Sequence, residues 1–124
     1  MSINKRLPVK WVRDKAKSNY KKGTYCRACN TTEELQFHHF NSITELWSKW
    51  LKANKIKADT DDEVVAVRDE FIEKYNYELY EATVTLCKEC HAKLHRVYGL
   101  KPKLFTAKKQ ERWVEKQRVK NGLV

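Results

Sequence analysis

The sequence predicts a small α+β domain in which two short strands are held by cysteine-rich turns and surrounded by helices. Two Cys-x-x-Cys pairs, Cys26 with Cys29 and Cys87 with Cys90, have the spacing of zinc knuckles. A short alternating segment follows the first pair and a β-branched one precedes the second, whereas most of the remaining chain has helical periodicity. We therefore expect a single domain over residues 1–124, with a two-helix insert between the strands and basic helices on both flanks.

The first element is a helix predicted from about Pro8 to Lys22. Proline suits the first turn of a helix, and Gly23 suits the cap that ends one. This helix belongs to a basic flank, residues 1–21, and a second basic flank is predicted over residues 100–124.

The two strands belong to a motif core that we predict over residues 22–40 and 82–99. The first strand, LQFHH, ends in His38 and His39, and the second is the β-branched segment TVTL at 83–86. Adjacent residues of a regular strand point to opposite faces of a sheet. The two histidines therefore serve one site only if the strand ends irregularly.

The insert between the strands, residues 41–81, is predicted to contain two helices. Ser42 and Glu45 form a capping box at the start of the first helix, and the second starts near Asp61 or Asp62. Each helix has an apolar stripe at helical spacing. These stripes are Ile43, Leu46, Trp47, Trp50 and Leu51 in the first helix, and Val64, Val67, Phe71, Ile72 and Tyr75 in the second.

Two more helices are predicted after the second strand. One runs from Lys88 to about Val97 and stops before Gly99, and the other runs from Thr106 to about Lys120.

The charge of the chain favours a polyanionic partner. Lys and Arg number 26 against 16 Asp and Glu, which gives a net charge of +10 and a pI of about 9.5. Such a balance favours nucleic acid first. Residues 59–81 are acidic by contrast, so we expect the acidic helix within them, residues 61–78, to face away from a nucleic-acid cleft or to contact another protein.

The cysteines are expected to be reduced. The N-terminus lacks the apolar region of a secretory signal, and no stretch approaches the roughly 20 apolar residues of a membrane span. A cytoplasmic location and four thiolate ligands of a structural Zn²⁺ follow. Two disulfides in a secreted domain, or four free buried cysteines, are the alternatives.

The helix that begins at Lys88 carries a second set of metal-type ligands. His91 and His95 are four residues apart, so both rings project from one helix face and can hold one divalent ion. The alternatives are a variant zinc site, in which a histidine replaces a cysteine, and surface histidines that bind no metal.

The combined pattern resembles the HNH nucleases of the His-Me finger, or ββα-metal, fold, of phage or mobile-element type. The resemblance covers about Lys22 to Gly99 and is interrupted by the insert. It rests on Cys26-x-x-Cys29, His38-His39 and Thr85-Leu86-Cys87-x-x-Cys90-His91-x-x-x-His95.

The resemblance implies a role for each histidine. In the zinc-bearing branch of the family the four cysteines hold a structural zinc. His39 would be the general base, His38 and His91 would bind a catalytic divalent ion, and His95 matches a position that some members use as a further ligand. Mg²⁺ or Mn²⁺ is the expected ion, and a histidine-rich site also accepts Ni²⁺ or Co²⁺.

One position departs from the family pattern. Ala82 stands where the family has an Asn that steadies the loop bearing the general base. Asn76, Asn41 and Glu81 are the candidates for that role.

The leading functional prediction is a metal-dependent DNA endonuclease or nicking endonuclease. A non-catalytic zinc module that binds nucleic acid and an accessory adaptor protein are the alternatives. The insert offers a surface for a second copy of the chain or for a phage or mobile-element protein. The predicted phosphate contacts are Lys10, Arg13, Lys17, Lys21, Lys22, Lys108, Lys109, Arg112 and Arg118.

Overall fold

The computed structural model describes residues 6–123, and the remaining residues of the predicted basic flanks, 1–5 and 124, lie outside the described part. It has the predicted α+β class, with one two-stranded sheet and mostly helices. The elements are α1 (Arg6–Lys17), β1 (Leu35–His39), α2 (Ile43–Ala53), α3 (Asp61–Lys74), β2 (Thr83–Cys87), α4 (Lys88–Tyr98) and α5 (Ala107–Lys120). One π-helical turn (Tyr77–Glu81) precedes β2, and one 3-10 turn (Leu104–Thr106) precedes α5.

The prediction that the first helix continues to Lys22 is wrong, because α1 ends at Lys17. After this residue the chain turns so that the ring of Tyr20 stacks on that of Phe37, with 4.4 Å between centroids. To stack on a strand residue, Tyr20 must lie outside the helix. Tertiary packing therefore overrides the local helical pattern.

The expected cap at Gly23 is also absent, and this residue joins the cysteine turn to the sheet. Its N–H donates to Thr85 Oγ1 at 2.7 Å, and a Cβ on Gly23 would lie only 3.2 Å from that oxygen. The N–H of Arg27 donates to the Thr85 carbonyl at 3.0 Å, and that of Cys26 to the Thr31 carbonyl at 2.8 Å. The first cysteine turn is therefore attached to β2.

A first core lies between α1 and the two insert helices. Ser42 Oγ accepts the Glu45 N–H at the start of α2, and a full capping box at Thr60 starts α3. Phe71 is fully buried, with its ring 5.0 Å from that of Trp47. The fully or largely buried members are Val9, Val12, Ala16, Ile43, Leu46, Trp47, Trp50, Ala58, Val64, Phe71 and Leu79.

A second core joins the cysteine turns, β2, α4 and α5. Leu86, Leu94 and Val114 fill it beside the cysteines. α4 ends at Tyr98, just before Gly99 as predicted, and the φ of +88° at Gly99 is a backbone conformation that glycine adopts without strain. This core places α4 against the sheet and α5 against α4, with Gln110 of α5 reaching the end of β1.

The strands pair antiparallel, from Leu35 opposite Cys87 to His39 opposite Thr83. This pairing brings the two cysteine turns together although the insert separates them in the chain. The pairing continues through His39, so β1 does not end in the irregular way that would turn both histidines to one face. Within residues 6–123, none of the helices is long and apolar enough to cross a membrane.

Candidate metal centres and active-site cleft

The four cysteines form one compact cluster. Their Sγ atoms lie within 4.8 Å of one another, and those of Cys29 and Cys87 are 3.8 Å apart. Sulfur atoms at the corners of a tetrahedron, each about 2.3 Å from a central zinc, are about 3.8 Å apart. The cluster therefore has the dimensions of a zinc site with four cysteine ligands.

The surroundings of the thiols also suit a cation. Burial raises the pKa of the Cys90 thiol. Burial acts in the same direction at Cys26, but backbone N–H donors, first that of Cys87, outweigh it and lower the pKa of Cys26. Four thiolates in such a small volume repel one another, so their joint ionisation requires a bound positive ion.

Three histidines form a second cluster, with ligand atoms within 4.8 Å of one another. His91 Nε2 lies 3.0 Å from His38 Nδ1 and 3.0 Å from His95 Nε2. β1 supplies His38, and one face of α4 supplies the other two. The structure thus brings together the three histidines predicted to hold the catalytic ion.

In each of these rings, the nitrogen that points away from the cluster, here called the outward nitrogen, lies within hydrogen-bond distance of an oxygen atom. In the tautomer that donates to these oxygens, the outward nitrogens carry the protons and the three inward nitrogens carry lone pairs. The bonds are His38 Nε2–H to Gln110 Oε1 at 2.8 Å, His91 Nδ1–H to Gln36 Oε1 at 2.7 Å, and His95 Nδ1–H to the Gly99 carbonyl at 2.8 Å.

The orientation of the Gln110 amide is itself determined by its neighbours. Its Nε2 donates to the Phe40 carbonyl at 3.1 Å and to Thr106 Oγ1 at 3.0 Å. A carbonyl only accepts, so the amide nitrogen must face Phe40 and the amide oxygen must face His38. The buried Gln110 side chain therefore decides which nitrogen of His38 faces the cluster.

Three converging lone pairs repel one another unless a cation lies between them. Nitrogen ligands about 2.1 Å from one ion, at right angles to each other, are about 3.0 Å apart, which is the separation found at His91. Burial lowers the pKa of His38 to about 3 and that of His91 to about 4. Neutral imidazoles are the form that binds metals, so the cluster fits a divalent ion.

His39 points to the opposite face of the sheet from His38, as strand alternation predicts. Its Nε2–H donates to the Leu79 carbonyl at 3.0 Å, which leaves Nδ1 with the lone pair. The rings of Tyr20 and Phe37 pack edge-on against it. Burial lowers the pKa of His39 to about 4, the bond to Leu79 opposes this, and the charge of Arg13 adds to it.

One cleft of about 330 Å³ reaches both faces of the strand end. His38 and His39 line it together with Arg13, whose Nη2 donates to Thr44 Oγ1 at 2.6 Å. The complete lining is Arg13, Phe37, His38, His39, Ser42, Ile43, His91, His95, Leu100 and Pro102. All four histidines of the chain therefore border one cavity.

Main-chain groups connect the segment around Ala82 to the end of β1. The Ala82 carbonyl accepts the Phe40 N–H at 3.3 Å, and the Ala82 N–H donates to the Tyr77 carbonyl at 2.9 Å. The π-helical turn that this second bond closes carries the Leu79 carbonyl that holds His39.

The predicted phosphate contacts fall into three groups. Arg13 lines the cleft. Three others are held by the protein itself, since Lys22 bonds the Leu35 carbonyl, Lys108 pairs with Glu111, and Arg118 bonds the Arg27 carbonyl. The exposed remainder are Lys10, Lys17, Lys21, Lys109 and Arg112, of which Lys10 and Lys109 lie beside the Trp11 and Phe105 rings.

Sequence reasoning missed Gln36, Gln110 and Leu79. A signal existed for two of them, because Gln36 shares a strand face with His38, and Gln110 is a polar residue one turn from the buried Val114 of α5. Leu79 acts through its carbonyl, which no side-chain pattern reports.

Comparison with known proteins identifies the family. No solved protein structure matches the chain. The family model for phage T5 nicking endonucleases, described as the nicking endonuclease family, matches residues 2–122, which is nearly the whole sequence. The chain therefore belongs to the nicking endonuclease family.

Proposed function

We propose that the chain is a metal-dependent HNH-type nuclease that nicks DNA at the cleft bordered by its four histidines. Membership of the nicking endonuclease family supports DNA cleavage. The observation that carries the assignment of the cleft is the convergence of three lone-pair nitrogens beside His39, whose own Nδ1 is unprotonated.

In the proposed mechanism, His39 acts as the general base. The Leu79 carbonyl holds the Nε2–H of the ring, so Nδ1 is the atom that takes a proton from the attacking water. The low pKa keeps this nitrogen free at neutral pH. Packing against Tyr20 and Phe37 restricts the ring to one orientation.

The remaining groups of the cleft act on the phosphate. His38, His91 and His95 would hold a divalent ion, which supplies a positive charge that stabilises the scissile phosphate and the leaving oxygen. The guanidinium of Arg13, which bonds Thr44 and lines the cleft, would contact a phosphate oxygen of the bound strand. The cysteine cluster would hold a structural zinc that anchors α4, and with it His91.

The test is nicking of supercoiled plasmid with Mg²⁺, Mn²⁺, Ni²⁺ or Co²⁺. The unmodified chain should convert it to the open circle, and His39→Ala should lose at least 100-fold in rate, the lower range for a general base. Ser48→Ala, at an exposed position of α2, is the matched control and should nick normally. Equal nicking by His39→Ala and the unmodified chain would reject His39 as the base.

The non-catalytic alternative makes a different prediction in the same assay. A zinc module that only binds nucleic acid would shift DNA in a gel but would cut it with none of the four ions. That result would reject the nuclease proposal for this chain.

A further inference from the structure

A second cleft, of about 180 Å³, lies between α4 and α5 and is separate from the histidine cleft. Its lining combines two aromatic rings with three cations. These residues are Tyr98, Lys109, Arg112, Trp113 and Lys116, four of which recur along one face of α5 at helical spacing. Three basic residues around a concave surface give it a positive charge that suits an anionic ligand.

The acidic residues of α5 do not neutralise this surface. Glu111 pairs with Lys108 at 3.3 Å, and Glu115 pairs with Arg27 at 2.8 Å. In the part of the chain that the structure describes, Arg112 and Lys116 have no carboxylate within ion-pair distance. The cleft therefore keeps its positive charge.

The aromatic residues give the cleft a fixed shape. Tyr98 and Trp113 are partly buried against the second core, and the Tyr98 hydroxyl donates to the Lys109 carbonyl at 3.2 Å. Such rings offer a flat apolar surface beside the cations, which suits the alternation of sugar and phosphate in a nucleic-acid strand.

The cleft is also close to the histidine cluster. Lys109 directly precedes Gln110, whose side chain bonds His38, and Tyr98 follows His95 by about one helical turn, or about 5 Å. The helices that carry His95 and Gln110 therefore also form the second cleft.

We propose that the cleft between α4 and α5 binds the sugar–phosphate backbone of the DNA substrate a few nucleotides from the nicked bond. The proposal rests on the proposed function for the identity of the substrate. It also separates the basic residues of α5 by role. Arg112 and Lys116 contact DNA, whereas Lys108 pairs with Glu111 on the surface and Arg118 bonds the Arg27 carbonyl.

The test measures DNA binding by fluorescence anisotropy at several NaCl concentrations in the His39→Ala chain, which keeps the substrate intact. Adding Arg112→Gln and Lys116→Gln should weaken binding and lower the slope of log Kd against log salt by about 0.9 for each phosphate that the variant no longer neutralises. The matched control is Lys49→Gln with Lys52→Gln, two exposed cations of α2 outside the cleft, which removes the same charge.

Two results would overturn the proposal. One is an unchanged affinity and slope in the Arg112 and Lys116 variant, which would mean that another partner, such as an acidic protein, uses the surface. The other is an equal loss of DNA affinity in both double variants, which would mean that only the net charge of the protein matters and not the cleft. The binding measurement does not depend on cleavage. If the unmodified chain fails to nick DNA, the proposed function is rejected, but the binding result can still be interpreted.

Discussion

The side chain of Gln110 on α5 holds the ring of His38 on β1, with Oε1 accepting the Nε2–H at 2.8 Å across 72 positions of sequence. Both side chains are buried, so water does not compete for the bond. This contact makes the C-terminal helix part of the candidate metal centre, because it turns His38 Nδ1 towards His91.

Replacing Gln110 should therefore weaken metal binding by the histidine cluster. Gln110→Leu removes the acceptor and should cost roughly 10- to 100-fold in affinity for Mn²⁺, measured by isothermal titration calorimetry. Gln110→Glu keeps an acceptor and should bind the ion nearly normally, although Phe40 then loses its donor. Gln117→Leu on the same helix is the control. Normal affinity in Gln110→Leu would show that His38 needs no positioning.

The cysteine cluster predicts one zinc per chain. Cys29→Ser should lose this zinc and most of the stability of the second core, because a structural site supplies folding free energy directly. Metal analysis and circular dichroism measure the two effects. His95→Ala should keep its zinc, since it belongs to the other cluster. Full zinc content in Cys29→Ser would contradict a zinc site built from all four cysteines.

The stability of the first core should depend on its own packing and not on zinc binding. Phe71 is fully buried and packs against the Trp47 and Trp50 rings. Phe71→Ala should lower the free energy of unfolding by about 3–5 kcal/mol in a urea titration, because it opens a cavity that the aromatic neighbours cannot fill. Val65→Ala, on the exposed side of α3, should change it by less than about 0.5 kcal/mol. Similar losses in both would contradict this packing.

The Arg27–Glu115 pair should contribute stability that depends on pH. The hydrogen bond from Arg27 lowers the pKa of Glu115 below its ordinary 4.5. A lowered pKa means that the contribution is complete above pH 4.5 and is lost as the pH falls through the pKa of the folded state. Both side chains are substantially exposed, so the contribution is only about 0.2–1 kcal/mol.

A double-mutant cycle measures this contribution. Arg27→Gln and Glu115→Gln, singly and together, should give a coupling free energy at pH 7 that falls towards zero at pH 3. A coupling that is constant over this range would mean that the carboxylate charge is not responsible.

Local sequence patterns anticipated much of the fold. The apolar stripes of α2 and α3 and the start of α4 were predicted from residues within one or two turns, and their packing agrees. The end of α1 was not predicted correctly, because Tyr20 lies outside the helix and stacks on Phe37. That contact joins segments on either side of a cysteine turn.

By itself, the sequence determined which residues carry metal-type ligands and which of them share an element. The i, i+4 spacing of His91 and His95 follows from helix geometry, as the opposite faces of His38 and His39 follow from strand geometry. Only the tertiary structure decided the Gln110 bond, the Leu79 carbonyl behind His39, the place of Arg13 in the cleft, and which cations of α5 line the second cleft. These depend on main-chain groups and on contacts between distant segments, whose positions follow from how the two cores pack and not from any local periodicity.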